Sequence, residues 1–148
     1  MTNLTRAITL HDLDGIAAAI AAAPEEIHER VSGWLPIQWA ERTNNPVTYA
    51  RVVRLLGSAS GHIEHRLLLK NYVVAISSNY FGGGSPEQSA VRAWEQIHRG
   101  IVRPFSKSES DFILSDEQKM DLVHLLKEAG VDSEAALVEL VRECITTK

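Results

Sequence analysis

The sequence is short of several things, and each shortage narrows what it can do. It has one cysteine, Cys144, in 148 residues. No internal disulfide can form, and such a composition favours a reducing compartment. Cys144 has no base near it in sequence and reads as a small packing residue. No apolar run approaches the ~20 residues of a membrane span. The first residues carry no charged segment leading into a long apolar one, so no signal peptide is expected, and a cytoplasmic location follows as the default. No basic stripe is present. The net charge is −4, spread as −1 over residues 1–60 (five basic, six acidic), +2 over 61–110 (six and four) and −5 over 111–148 (four and nine). That distribution argues against nucleic acid as a partner. Gly82-Gly83-Gly84 is not followed by the Gly-Lys-Ser/Thr of a phosphate cradle. No serine sits in a Gly-x-Ser-x-Gly elbow. The expectation is a protein without catalytic residues or cofactor.

What is present is helical periodicity. Leu13, Ile16 and Ile20 recur at spacings of three and four within an alanine-rich run that Pro24 stops. Asp12 and Asp14 suit the positive end of that helix. Tyr49, Val52, Val53, Leu55 and Leu56 form the apolar side of a helix that Pro46 helps to open. Residues 62–80 are apolar around most of a helical circumference, which marks a buried helix; a strand over Tyr72–Ile76 is the alternative, since β-branched residues cluster there. Ser85-Pro86-Glu87-Gln88 and Ser115-Asp116-Glu117-Gln118 both carry capping-box logic. Residues 104–110 read as a polar loop. Gly130 ends one helix, and Asp132 or Ser133 starts the last. The acidic residues 116, 117 and 121 read as favourable charge at a helix N-terminus. The chain is expected to be all-α, with seven or eight helices and, at this length, one domain over residues 1–148.

One stretch has a more specific character. In Gly33-Trp34-Leu35-Pro36-Ile37-Gln38-Trp39-Ala40, Gly33 can supply a positive φ, and Pro36 suits the first turn of a helix. Trp39 is expected to pack toward the next layer. This stretch resembles the ankyrin signature, a glycine turn followed by Thr-Pro-Leu-His-x-Ala. Ala7, Asp12, Leu13, Ile16, Ile20 and Pro24 are similar to the preceding half-repeat, and Asn44 falls where the family ends a helix with Gly. The resemblance spans roughly residues 5–60 and returns over Leu125–Asp132. Leu35 stands in place of the capping Thr, Gln38 in place of His, and His11 in place of a turn Gly. The resemblance implies an ankyrin-like repeat solenoid, stacked helix pairs with divergent C-terminal helices.

It also implies a function. Such a stack binds another protein through its projecting finger, here Glu25 to Ser32, and its inner helices. The implied contact residues are Glu29, Arg30, Val31, Ser32 and Trp34 on the finger, with Gln38, Glu41 and Arg42 on the inner helix. Trp34 beside Arg30 has the chemistry of a binding hot spot; alternatively, Trp34 covers the adjacent repeat. An adaptor, an inhibitor and an immunity-type protein all fit. A second class is a helical metal-dependent hydrolase. His62 and His65 are three apart, and on a helix that spacing can present two imidazoles to one metal. His98, four after Trp94, is expected to pack on that ring.

Overall fold

Helix boundaries in this chain are set by a few polar side chains and by left-handed backbone positions. The computed structural model describes residues 2–56, 63–78, 80, 85–105 and 110–146, with side chains outside 63–68 and 145–146. Among these residues are eight α-helices: α1 Asn3–Thr9, α2 Leu13–Ala22, α3 Pro36–Arg42, α4 Pro46–Leu56, α5 Ile63–Ser78, α6 Pro86–His98, α7 Asp116–Glu128 and α8 Glu134–Thr146. A short 3-10 helix, Pro24–His28, follows α2.

The caps are local and complete. The Thr2 hydroxyl accepts from the Thr5 amide (3.0 Å) and the Asp12 carboxylate from the Gly15 amide (3.0 Å). Asn45 Oδ1 accepts from the amides of Val47 and Thr48 at the start of α4. Ser85 with Gln88, and Ser115 with Gln118, satisfy donors reciprocally. Ser133, not Asp132, caps α8 through the Ala136 amide. Each such cap contributes about 1 kcal/mol. The turns between helices use positive φ at His11 (57°), Asn44 (54°), Gly100 (86°) and Gly130 (84°). Both His11 and Asn44 therefore occupy the conformation that a turn glycine would supply.

The all-α expectation holds, with one addition. Ile101–Val102 (β1) pairs antiparallel with Phe112–Ile113 (β2), Ile101 opposite Ile113 and Val102 opposite Phe112. The Tyr80 hydroxyl donates to the Ile101 carbonyl oxygen (2.9 Å) and accepts from the Arg103 amide (3.3 Å), tying the ribbon to the end of α5. Two-residue strands leave no periodicity to read. The strand alternative over Tyr72–Ile76 is replaced by α5, whose sixteen residues cross that stretch.

In the first half, α1 packs on α2 and α3 on α4, while α1 lies beside α3 and α2 beside α4. Beyond α4 the packing mixes consecutive and distant pairs. Helix α4 lies chiefly against α7, α5 contacts α6, α7 and α8, and α8 packs on α6. Buried side chains from every helix join one core, including Leu4, Ile16, Tyr49, Val52, Leu69, Ile76, Ile97, Leu122, Leu125 and Leu137.

The α4–α7 contact holds a buried charge cluster. Arg51, 4% exposed, and Asp121, fully buried, meet at 2.7 Å. Arg54 reaches the other Asp121 oxygen (2.5 Å), and Glu117 contacts both guanidiniums at 3.2 and 3.0 Å. Asp121 is thus no helix-terminus charge in solvent. It lies one and a half turns into α7 and faces the core, where two arginines neutralise it. Burial pushes its carboxyl up from the ordinary value, and the hydrogen bond and charge of Arg51, then the charge of Arg54, pull it back.

Two tyrosines form a second buried feature, stacked between α4 and α5. Tyr49 and Tyr72 stack with centroids 3.8 Å apart, and Phe105 meets Tyr72 edge-on at 5.5 Å. Their hydroxyls have no hydrogen-bond partner among the described residues. Burial pushes both phenols well above the usual value, and burial pushes Tyr80 up to about 12.

Two predictions follow from this interior. Asp121→Ala leaves the buried Arg51 guanidinium with only the exposed Glu117 as a counter-charge and should destabilise by about 3–5 kcal/mol, while adding Arg51→Met should recover a large part of that loss. Chemical denaturation of the single and double variants measures both; equal losses would show the pair to be uncoupled. The three tyrosines are all of those in the chain. An alkaline titration followed by tyrosinate absorbance should show none ionising near pH ~10, where the unfolded chain titrates. The native state then holds more protons than the unfolded one above that pH. Stability should be complete below about pH 10 and fall by up to ~1.4 kcal/mol per tyrosine for each further unit until Tyr80 ionises.

Candidate functional site

The finger is built from its own backbone before any packing is added. Val31 and Trp34 pair through both amides, Val31 N to Trp34 O at 2.9 Å and Trp34 N to Val31 O at 3.1 Å. Between them Ser32 and Gly33 both have positive φ, 54° and 83°. That is the dihedral signature of a tight primed hairpin turn. The Arg30 guanidinium donates to the Gly33 carbonyl oxygen (2.9 Å) and braces the loop from outside. Only residues 31–34 form the hairpin. The preceding Pro24–His28 is 3-10 helix, and it is anchored to α1, because the Glu26 carboxylate accepts from the Leu4 amide (3.2 Å).

The hairpin is seated on α3 by aromatic and cationic groups. The Trp39 indole N–H donates to the Val31 carbonyl oxygen (3.0 Å). The rings of Trp34 and Trp39 lie 6.0 Å apart at 52°. The Arg42 guanidinium covers the outer face of Trp34, 3.4 Å from the ring centroid. Such a stack favours the ring's electron-rich face and holds the cation in place. Trp39 is half-buried rather than enclosed, because it serves as the hairpin's seat.

The sequence-derived residues divide accordingly. Arg30, Val31, Ser32, Trp34 and Arg42 come together in one surface. Glu29 is exposed at its edge. Gln38 accepts from the Leu35 amide (2.8 Å), so it holds the start of α3, where Leu35 offers no capping hydroxyl. Glu41 is half-buried on a different side of α3. Burial pushes its carboxyl up, and its charge acts on Tyr49 and Tyr72. Trp34 lies against Trp39 on α3 and has the Arg42 guanidinium over its ring.

His62 and the side chain of His65 lie outside the described residues. Among the described residues no group of three or more His, Cys, Asp or Glu is placed to hold a metal ion. His98 stacks on Trp94, centroids 4.2 Å apart, with Nδ1 2.7 Å from the Trp94 carbonyl oxygen. No helix among the described residues is long and apolar enough to cross a membrane.

Sequence reasoning missed His11, Thr43 and the α4–α7 charge cluster. For the cluster a signal existed: Arg51 and Arg54 sit three apart inside the apolar run Tyr49–Leu56, and arginines on a buried face require acids. Comparison with protein-family models, with curated proteins and with solved structures finds no match.

The hairpin chemistry can be checked directly. A Cβ at residue 33 would meet no atom within 4 Å, so Gly33→Ala tests the backbone alone. It should cost about 1 kcal/mol through the positive φ, whereas Ser32→Asn should be neutral or stabilising by a few tenths. Thermal denaturation of both variants decides it; a neutral Gly33→Ala would contradict the turn geometry.

Proposed function

We propose that this chain is a non-catalytic protein–protein interaction module, ankyrin-like over its first half, that holds another protein through its hairpin finger and the adjoining face of α3. The observation that carries this reading is the finger itself. A primed turn, locked by four backbone and side-chain hydrogen bonds, holds an indole under a guanidinium at the surface. Preorganised Trp and Arg side chains are the groups most often found at the energetic centre of interfaces, because they bring large contact area at little further entropic cost. The pairing of α1 with α2 and α3 with α4, side by side, supports the ankyrin-like reading for residues up to α4. An adaptor, an inhibitor or an immunity-type protein working in the cytoplasm would all use such a surface.

The test compares partner binding by the wild-type chain with that of the double variant Arg30→Glu, Trp34→Ala. With the partner recovered by pull-down from the native host, titration calorimetry should give a loss of at least about 2 kcal/mol, a hot-spot-sized effect. Glu139→Arg on α8, far from the finger in sequence and exposed, is the control and should change little. A result in which the control abolishes binding and the finger variant does not would move the interface to the acidic C-terminal third.

A further inference from the structure

Beside the finger is a cavity of about 270 Å³ lined by Thr9, His11, Trp39, Arg42 and Thr43. It falls just below the range of small-molecule ligand sites, with room for a side chain rather than a cofactor. Two of its walls bear N–H donors that can carry positive charge, and no carboxylate lines it. Arg42 is already fixed by its stack on Trp34, and its guanidinium has no hydrogen-bond or ion-pair partner among the described residues. The contrast with Arg51 and Arg54 is sharp, since both of those are matched by acids of this chain.

His11 is fixed as firmly. Its backbone is left-handed, and Nδ1 lies 3.1 Å from the hydroxyl of buried Thr48 on α4. When that hydroxyl donates to Nδ1, Nε2 carries the proton and is the ring nitrogen left over. The hydroxyls of Thr9 and Thr43 donate to the carbonyl oxygens of Arg6 and Ala40, so neither has a proton to offer a ligand. The indole N–H of Trp39 is spent on Val31, and its ring supplies an apolar wall. Unused donors are therefore confined to Arg42 and His11. A planar anion on a short apolar stem matches both the donors and the wall, and guanidinium–carboxylate pairs are among the stronger charge-assisted contacts.

We propose that this cavity receives an aspartate or glutamate side chain of the partner protein, bound by Arg42 and His11. The assignment rests on the docking reading above and gives that partner a chemistry: an acidic residue within reach of the Trp34 face.

The experiment needs no partner to begin. The isotope-labelled full chain is titrated with N-acetyl-glutamate amide at constant ionic strength, and with N-acetyl-glutamine amide as the neutral isostere. Saturable shifts at His11, Arg42 and Thr43 in the millimolar range are expected for the acid alone. Arg42→Gln should weaken the acid's binding about tenfold or more. His11→Asn, which keeps a residue tolerant of the left-handed backbone, should weaken it severalfold and stands in if Arg42→Gln does not fold. No saturable shift, equal shifts from both probes, or unchanged affinity in the variants overturns the proposal. So does partner affinity that is unchanged in Arg42→Gln. Failure of the probe with a finger variant that still loses its partner removes the cavity assignment and leaves the docking surface standing.

Discussion

Placing Asp121 between Arg51 and Arg54 is the constraint on which the arrangement of the two halves depends. A fully buried carboxylate must be matched by cations with good geometry, since removing charges from water costs several kcal/mol per ion. Both guanidiniums come from one face of α4, three residues apart, and converge on this one carboxylate of α7. Apolar packing alone is less particular, since cores tolerate volume-conserving rearrangement. The ion cluster ties particular positions of α4 and α7 together, and the hydrophobic surface around it supplies the stability. It also explains why α4 associates with a helix some sixty residues further on, ahead of the helix that follows it in sequence.

The first half is organised differently. Its geometry is written in turns: His11, Ser32 and Asn44, all non-glycine residues with positive φ, stand at the three reversals that separate α1, α2, the hairpin with α3, and α4. The hairpin is held by local contacts from Arg30 and Trp39, whereas His11 is held by Thr48, thirty-seven positions further on. Local contacts close small loops and incur little entropy. The hairpin is thus a surface feature decided nearby in sequence, set on a scaffold that is itself closed by longer pairings such as Glu26 with Leu4 and His11 with Thr48.

That division explains what the sequence made legible. Caps, turns and helix limits depend on residues within four positions of one another, and Ser85, Ser115, Gly130 and Asn44 could be read directly. The finger residues could be named because Gly33 and Pro36 announce a turn and a helix start. The partnership of α4 with α7 could not, since nothing in Arg51 or Asp121 names the other across seventy residues. The β1–β2 ribbon is two residues deep and held largely by Tyr80, a side chain twenty-one positions away from the carbonyl it binds. Gln38 and Glu41 share α3 with Arg42, yet one holds the helix start and the other stands toward the tyrosines. Helical spacing places residues on faces but does not say which neighbour each face will meet.

The distribution of aromatic side chains gives the protein an optical asymmetry. Its tyrosines are all buried, whereas Trp34 and Trp39 sit together at the finger and Trp94 stands apart, stacked on His98. Indole emission from this chain therefore comes from two environments: a coupled pair under a cation, and a single ring against an imidazole. The coupled pair places a native chromophore in the hairpin surface itself, so any change in the packing there is reported by the protein's own light, without a label.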